Sequence, residues 1–133
     1  GTVRYFDLDL GKNNLERMRK MVEGIAAGHG VEVEVAYDHG YPPTTNHEQQ
    51  AIFARDVAVE VTGMEARKQP QVMGSEDFSF YLENKPGAYA WIGNGDTSES
   101  AQLHNPHYNF NDDILPTGAS FFVRLVETAL AKH

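Results

Sequence analysis

The stretch TVRYFDLDLGKNNLERMRKMVEGIAAGHGVEVEVAYD, residues 2–38, carries the clearest structural pattern of the chain. Residues 2–7 are rich in β-branched and aromatic side chains, which is typical of a strand. Behind the potential N-caps Asn-Asn at 13–14, apolar residues recur every three or four positions until the Gly-His-Gly at 28–30, and this spacing predicts a helix. In residues 31–36, Val alternates with Glu or Ala, as in a half-buried strand. The pattern therefore predicts a strand–helix–strand unit.

The remainder of the chain predicts further helices and short strands. Turn-forming residues at 38–43, Asp-His-Gly-Tyr-Pro-Pro, predict a domain boundary. Asn46 with Gln49 matches a capping box at the start of a helix. Helices are predicted over residues 46–63, 74–84 and 118–132, and short strands over 71–73 and 88–92. This mixture predicts an α/β (α+β) fold class.

Composition excludes several classes of protein. The 133 residues are 41% hydrophobic and 23% charged, and this composition excludes intrinsic disorder. The formal net charge of -8 disfavours nucleic-acid binding. No apolar run reaches the roughly 20 residues of a membrane-spanning helix, and no charged-then-apolar leader is visible. The absence of cysteine excludes disulfides, thiolate metal sites and a cysteine nucleophile, and it fits a cytoplasmic location. Because the sequence starts with Gly1, we expect it to be a piece of a longer protein.

A long polar segment, residues 94–112, contains the side chains best suited to bind a metal ion. His104, His107 and Asp112 are of the types that bind zinc or manganese. Pro106 separates the two histidines, so they cannot share one face of a helix, and at most one is expected to be a ligand. The alternative is that both histidines are ordinary polar loop residues.

Two other positions allow both a binding role and a structural one. Gly74 and Ser75 lie where a helix is predicted to begin, so free N–H groups there could bind an anion, or Ser75 could simply cap the helix. Arg4 interrupts an apolar strand pattern, where its guanidinium could clamp a carboxylate or could be the member of the alternation that faces solvent. The residue patterns leave these alternatives open.

Several segments of the chain together resemble one enzyme family. They are Gly-Thr-Val-Arg at 1–4, Tyr-Pro-Pro-Thr-Thr-Asn at 41–46, Met-Gly-Ser-Glu-Asp-Phe at 73–78, and Leu-His-Asn-Pro at 103–106 with Phe-Asn-Asp at 110–112. With these segments the chain resembles the C-terminal part of the two-metal amidohydrolases. That family includes hippurate hydrolase, the indole-acetyl-amino-acid hydrolases, the aminoacylases and related carboxypeptidases, and the similarity covers nearly the whole chain.

The resemblance implies a catalytic α/β domain interrupted by a smaller lid domain, which in most members also forms the dimer. Residues 1–40 would be the second half of the lid, half of a ferredoxin-like unit, and residues 41–133 the C-terminal part of the catalytic domain. The implied reaction is hydrolysis of an N-acyl amino acid by water activated between two zinc or manganese ions.

The resemblance also implies roles for individual residues. His104 resembles the last metal ligand of the family, and Asp112 matches a position that would orient it. Arg4 resembles a lid arginine that grips the substrate carboxylate, and Gly74 and Ser75 match the segment that lines the substrate pocket. The other metal ligands and the catalytic glutamate belong to an N-terminal segment whose motifs are missing here. We therefore expect no catalytic residue in this chain and no activity without that segment; the alternative is a non-catalytic module that binds carboxylates or dimerises.

Overall fold

The computed structural model describes residues 1–95 and 101–131, and most of the regular structure in those ranges is helical. The helices are α1 (Leu8–His29), α2 (Glu48–Thr62), α3 (Phe78–Asn84) and α4 (Leu115–Leu130), and a short 3-10 helix, Asp112–Ile114, precedes α4. Within the described ranges, no helix combines the length and hydropathy that a bilayer-spanning segment requires.

The predicted strands are wrong, because the described residues contain no β-strand at 2–7, 31–36, 71–73 or 88–92. A strand forms only where a neighbouring segment completes its ladder of backbone hydrogen bonds. Alternation of Val and Glu is a property of one segment and does not supply that neighbour. The α/β (α+β) class with a strand–helix–strand half-lid is therefore corrected to a helix-rich fold with irregular connections in the described part of the chain.

Two compact units divide these elements. The α1 unit comprises Gly1–Thr45 with Pro70–Pro86 and contains α1 and α3. The α2–α4 unit, named for the two helices α2 and α4, comprises Asn46–Gln69 with Gly87–His133. The division into residues 1–40 as lid and 41–133 as catalytic domain concerns the parent protein, and it stays a prediction.

In the α1 unit, α1 begins earlier than the predicted caps at 13–14 because Asp7 caps it. Asp7 is extended, and its carboxylate accepts a hydrogen bond of 2.8 Å from the N–H of Leu10, which is a strong N-cap arrangement. The helix ends where predicted, since Gly30 adopts the left-handed conformation with a φ of 66°.

The segment that carries Arg4 packs on the first turns of α1 through Tyr5. Gly11 is buried under the Tyr5 ring, and a Cβ atom at Gly11 would lie 2.6 Å from the ring Cζ atom. Only a glycine allows this close approach. The apolar stripe predicted for α1 is present but largely exposed, with Met21 66% and Ile25 62% accessible.

In the α2–α4 unit, α2 packs against α4. Val57 of α2 is buried, and the Arg124 guanidinium of α4 lies 3.0 Å from the Glu60 carboxylate of α2. Helix α2 ends before Gly63, as predicted.

Helix α2 starts at Glu48 rather than at the predicted cap Asn46, because the Asn46 side chain is engaged elsewhere. Its Nδ2 donates to the Tyr89 carbonyl at 2.9 Å, and its Oδ1 accepts from the Tyr89 N–H at 2.7 Å. These two bonds direct the Asn46 carboxamide towards Tyr89, and the first turn of α2 has no side-chain cap.

The other two helices differ from prediction at their starts. Helix α3 ends at Asn84, as predicted, but begins at Phe78. Helix α4 begins three residues before the predicted Gly118, since the 3-10 helix runs into it and Pro116 occupies its first turn. The predicted end at Lys132 and residues 96–100 of the predicted loop lie outside the described residues.

Candidate functional site

The α1 unit brings Arg4 and Ser75 into direct contact. Arg4 Nη1 donates a hydrogen bond of 2.6 Å to Ser75 Oγ, although the two residues are 71 positions apart. A guanidinium carries five N–H donors, so one bond to Ser75 leaves it the capacity to bind a carboxylate as well.

A small cavity lies beside this contact. Residues 3–6, 41–43 and 72–75 line it, and it encloses about 60 Å³. Each of the three segments overlaps one of the motifs that carry the family resemblance. A space of this size holds about two water molecules, whereas pockets for whole ligands enclose about 300–1,000 Å³. The cavity is therefore large enough for a group of the size of a carboxylate, but too small for an entire N-acyl amino acid.

Aromatic packing supports the wall of the cavity formed by residues 41–43. The ring of Tyr41 meets the ring of Phe80 on α3 edge to face, with centroids 5.6 Å apart. Such pairs add about 0.5–1.5 kcal/mol beyond the area that they bury. The contact ties the turn-forming segment to α3 within the α1 unit.

Residues 74–75 do not occupy a helix start. Helix α3 begins at Phe78, and its first turn has no side-chain cap. The predicted helix start at 74–75, with Ser75 as its N-cap, is therefore wrong. The role of Gly74 and Ser75 in binding an anionic group stays a prediction. The Ser75 hydroxyl contacts Arg4 instead, so its proximity to a cation comes from the fold.

In the α2–α4 unit, His104 lies in a hydrogen-bonded turn. The N–H of Asn105 donates to the Gln102 carbonyl at 3.1 Å. His104 has a φ of 66°, and in the described ranges it is the one residue other than glycine with a positive φ. This conformation costs a residue with a side chain about 1–2 kcal/mol, and such strain clusters at functional sites.

His107 lies in the next turn. Its N–H donates to Asn105 Oδ1 at 2.9 Å, and the Tyr108 N–H donates to the Asn105 carbonyl at 2.9 Å. No helix contains the two histidines, which confirms the expectation drawn from Pro106. Both are exposed.

Asp112 begins the 3-10 helix that precedes α4. Asn111 caps this helix, since its Oδ1 accepts from the Asp113 N–H at 3.1 Å. Within residues 1–95 and 101–131, no hydrogen bond joins Asp112 to His104. A role for Asp112 in orienting His104 therefore stays a prediction.

Asn94 is a further candidate for a functional role, and none of the motifs in the sequence analysis includes it. Its Nδ2 donates to the Asn109 carbonyl at 2.9 Å, and its Oδ1 accepts from the Asn111 N–H at 2.7 Å. One side chain thus holds the segment that follows the His104 turn. The turn-forming dipeptide Asn94–Gly95 was the available signal.

Comparison with known proteins explains why the motif segments that contain Arg4, Ser75 and His104 occur together in one chain. The family model of peptidase family M20/M25/M40 matches residues 3–128. The chain belongs to this family. The match includes Arg4, Ser75 and His104, and it confirms the resemblance to the amidohydrolases at the level of the family.

Several relatives within family M20/M25/M40 are hydrolases. Hippurate hydrolase of Campylobacter jejuni is 35% identical over 127 residues, which cover 93% of this chain and 32% of that protein. N-acetylcysteine deacetylase of Bacillus subtilis is 31% identical over 130 residues, covering 98% and 33%. An IAA-amino acid hydrolase of Arabidopsis thaliana is 39% identical over 83 residues, covering 60% and 19%. The chain thus spans about a third of the length of the first curated relatives it matches. No solved structure matches it.

Peptidases of family M20/M25/M40 are generally metal-dependent. In the described part of the chain, no three or more His, Asp or Glu side chains are grouped so that they could hold a metal ion. A zinc site takes three or four protein ligands. The residues present therefore do not form a complete metal centre by themselves.

Proposed function

We propose that this chain is the C-terminal part of a metal-dependent amidohydrolase that cleaves the amide bond of N-acyl amino acids related to hippurate. Relatives named hippurate hydrolase, N-acetylcysteine deacetylase and IAA-amino acid hydrolase support this substrate class. In the reaction one water is consumed: the amide C–N bond breaks, the acyl carbon gains the hydroxyl group, and the amine nitrogen gains the proton.

The Arg4–Ser75 contact beside the cavity is the observation that carries the proposal. The carboxylate is the permanent charge of an N-acyl amino acid, and a guanidinium binds it through two parallel hydrogen bonds. Ser75 Oγ accepts from Arg4, so its own proton remains available to the same carboxylate. We assign Arg4, Gly74 and Ser75 to this subsite, which would hold the substrate by its amino-acid end.

His104 is our candidate metal ligand, and its strained backbone supports a functional role. A divalent ion, zinc or manganese, would supply a Lewis acid and an activated water, with two ions in the intact protein. The remaining ligands and the general base would come from an N-terminal segment outside this chain. The chain alone would then be inactive. In the complete site, Asp112 would orient the His104 imidazole.

The same proposal includes an assembly and a location. Residues 1–40 would belong to a lid that pairs two copies, and the exposed apolar stripe of α1 supports such pairing. Residues 41–133 would belong to the catalytic domain. The lack of cysteine is consistent with a cytoplasmic enzyme.

The test is to express the longest open reading frame that contains this sequence and to measure glycine release from hippurate. We expect release that a chelator abolishes and that added zinc or manganese restores. A dipeptide with a free amino terminus serves as the control substrate and should be cleaved poorly. Absence of hydrolysis with either metal would refute the proposed function.

A second candidate function is carboxylate binding without catalysis. It is favoured by the position of the cavity, since all of its lining residues belong to the α1 unit. Calorimetric titration of the 133-residue chain with hippurate separates the two. Binding that is insensitive to chelator and weakened by Arg4→Ala, without hydrolysis by the longer protein, would establish this second function.

A further inference from the structure

We propose that Asn94 is a positioning residue for His104. Its carboxamide holds the backbone that follows the His104 turn and thereby determines the position of the His104 imidazole. The assignment of His104 as a metal ligand rests on the proposed function. The mechanical role of Asn94 rests on the hydrogen bonds alone.

Asn94 uses both ends of its side chain on one short segment. The amide nitrogen donates to the Asn109 carbonyl at 2.9 Å, and the amide oxygen accepts from the Asn111 N–H at 2.7 Å. The partners are 15 and 17 positions along the chain. Because the donor and the acceptor of one rigid planar group are both used, the segment 109–111 is fixed in position and in direction.

The far side of this segment is anchored to α4. The Asn111 side chain caps the 3-10 helix through the Asp113 N–H at 3.1 Å, and the Ile114 N–H donates to the Asn111 carbonyl at 3.2 Å. The 3-10 helix then continues directly into α4. Residues 109–111 are therefore held between the Asn94 side chain and a helix that packs on α2.

Consecutive turns connect this anchored segment to His104. The Tyr108 N–H bonds to the Asn105 carbonyl at 2.9 Å, and the Asn105 N–H bonds to the Gln102 carbonyl at 3.1 Å. His104 lies inside the second of these turns. Only these two turns, residues 102–105 and 105–108, separate His104 from the anchored segment along the chain.

The strain at His104 explains why such an anchor is needed. An exposed histidine at a φ of 66° relaxes to an ordinary conformation unless its surroundings prevent it. The hydrogen bonds within the turns are local and exposed, whereas the Asn94 bonds span a long loop and restrict its ends. A ligand must be held within about 0.5 Å of its productive position.

Asn46 offers a matched control for a variant at Asn94. Asn46 makes the same pair of bonds, at 2.9 and 2.7 Å, with the backbone of Tyr89, and it lies in the same unit. Asn46→Ala therefore removes the same hydrogen bonds without touching residues 101–111. Asn94→Asp keeps the acceptor for the Asn111 N–H but replaces the donor to Asn109 by a second carboxylate oxygen, which repels the Asn109 carbonyl. This variant should therefore release residue 109 as well.

The variants are compared in the longest reading frame that contains this sequence. We expect Asn94→Ala to lower kcat on hippurate about 10–100-fold, and to raise by a similar factor the manganese concentration that restores activity after chelation. KM should change little, because the carboxylate subsite is untouched. Asn46→Ala should stay within about threefold of wild type in all three quantities. Equal losses in Asn94→Ala and Asn46→Ala would overturn the proposal.

A readout that needs no activity separates this inference from the proposed function. Amide exchange at Asn111 should accelerate about tenfold in Asn94→Ala, the loss of roughly one hydrogen bond, and the ring resonances of His104 should shift. Neither change should occur in Asn46→Ala. If the enzyme assay fails in wild type but these changes occur, the proposed function falls and the positioning role of Asn94 stands. If the His104 resonances do not move, the positioning role is refuted.

Gly95→Ala guards against a variant at Asn94 that fails to fold. Gly95 has a φ of 96°, and an added Cβ atom would lie 3.3 Å from Asn111 Nδ2. This change crowds the Asn111 side chain, on the residue whose backbone N–H donates to Asn94 Oδ1. We expect the same His104 resonance shift and a smaller loss of kcat; unchanged resonances would contradict the proposal.

Discussion

Arg4 and His104 are both polar and exposed, yet the chain holds them in different ways. Arg4 is held by a side chain 71 positions away and by a cavity with walls from three segments. His104 is held by turns of its immediate neighbours, with Asn94 anchoring the segment that follows. The first arrangement depends on the tertiary fold of the α1 unit, and the second is mostly local.

The two surroundings also differ in the ligand that they suit. The surroundings of Arg4 offer what a carboxylate requires, a guanidinium, a hydroxyl group and a small cavity within one unit. The surroundings of His104 do not, since no group of metal-binding side chains accompanies it in residues 1–95 and 101–131. The described residues therefore offer the groups of the proposed carboxylate subsite, but not the three or four ligands of a complete metal site.

The largest expected effect concerns His104. In the longer protein, His104→Ala should reduce hippurate hydrolysis at least about a hundredfold, since removal of a ligand should cost more than removal of a residue that only orients one. His107→Ala is the control, because it changes an exposed histidine three residues away. Wild-type activity in His104→Ala would contradict the assignment of His104 as a ligand. Equal losses in both variants would contradict a role that is specific to His104.

A smaller effect is expected on the packing that places Arg4. Gly11→Ala should lower the free energy of unfolding by about 1–3 kcal/mol, because the new methyl group overlaps the Tyr5 ring. Gly24→Ala in the same helix meets nothing within 4 Å, so it should raise stability by about 0.5–1 kcal/mol. Urea unfolding measures both. Similar changes in the two variants would mean that Tyr5 does not pack on α1.

The ion pair between α2 and α4 should contribute less. Glu60 and Arg124 are about half exposed, with N–O separation of 3.0 Å, and pairs of this kind contribute about 0.2–1 kcal/mol. A double-mutant cycle with Glu60→Gln and Arg124→Met should give a coupling in this range that weakens in high salt. A coupling of zero at low salt would show that the ion pair does not stabilise the packing of α2 against α4.

The smallest effect is a pH dependence on α1. The hydrogen bond and charge of Lys20, 2.7 Å away, lower the pKa of Glu16. A lowered pKa in the folded state favours folding above the pKa of the unfolded chain, and this contribution is lost as pH falls through the folded-state pKa. Carboxyl titration by NMR should show a higher Glu16 pKa in Lys20→Met than in wild type. An unchanged titration would contradict the pair.

The sequence predicted helices better than anything that depends on a distant partner. All four predicted helices are present, and the predicted ends at Gly30 and Gly63 are confirmed because these glycines adopt the left-handed conformation. The predicted end at Asn84 is confirmed as well. The starts were less predictable, since Asp7 outcompeted the asparagines at 13–14 for the cap.

The wrong strands and the missed side-chain contacts have a common physical cause. A strand needs a neighbour and a side chain needs a partner, and neither is encoded in a local pattern. Asn46 was expected to cap α2 and instead binds Tyr89. The residue pattern singled out Arg4 and Ser75 separately, but their contact arises only from the fold. Asn94 was missed because its partners lie 15 and 17 positions away.

In the proposed function, Arg4, held by Ser75, recognises the carboxylate of an N-acyl amino acid. The most direct test compares kcat/KM for hippurate and for its neutral amide, in wild type and in Arg4→Ala. Loss of hydrogen bonds to a charged group, worth about 1.5–3 kcal/mol, should lower the preference for hippurate by about 10–150-fold, while the neutral amide is hydrolysed as before. If Arg4→Ala slows both substrates equally, or slows neither, Arg4 does not bind the carboxylate and the claim is contradicted.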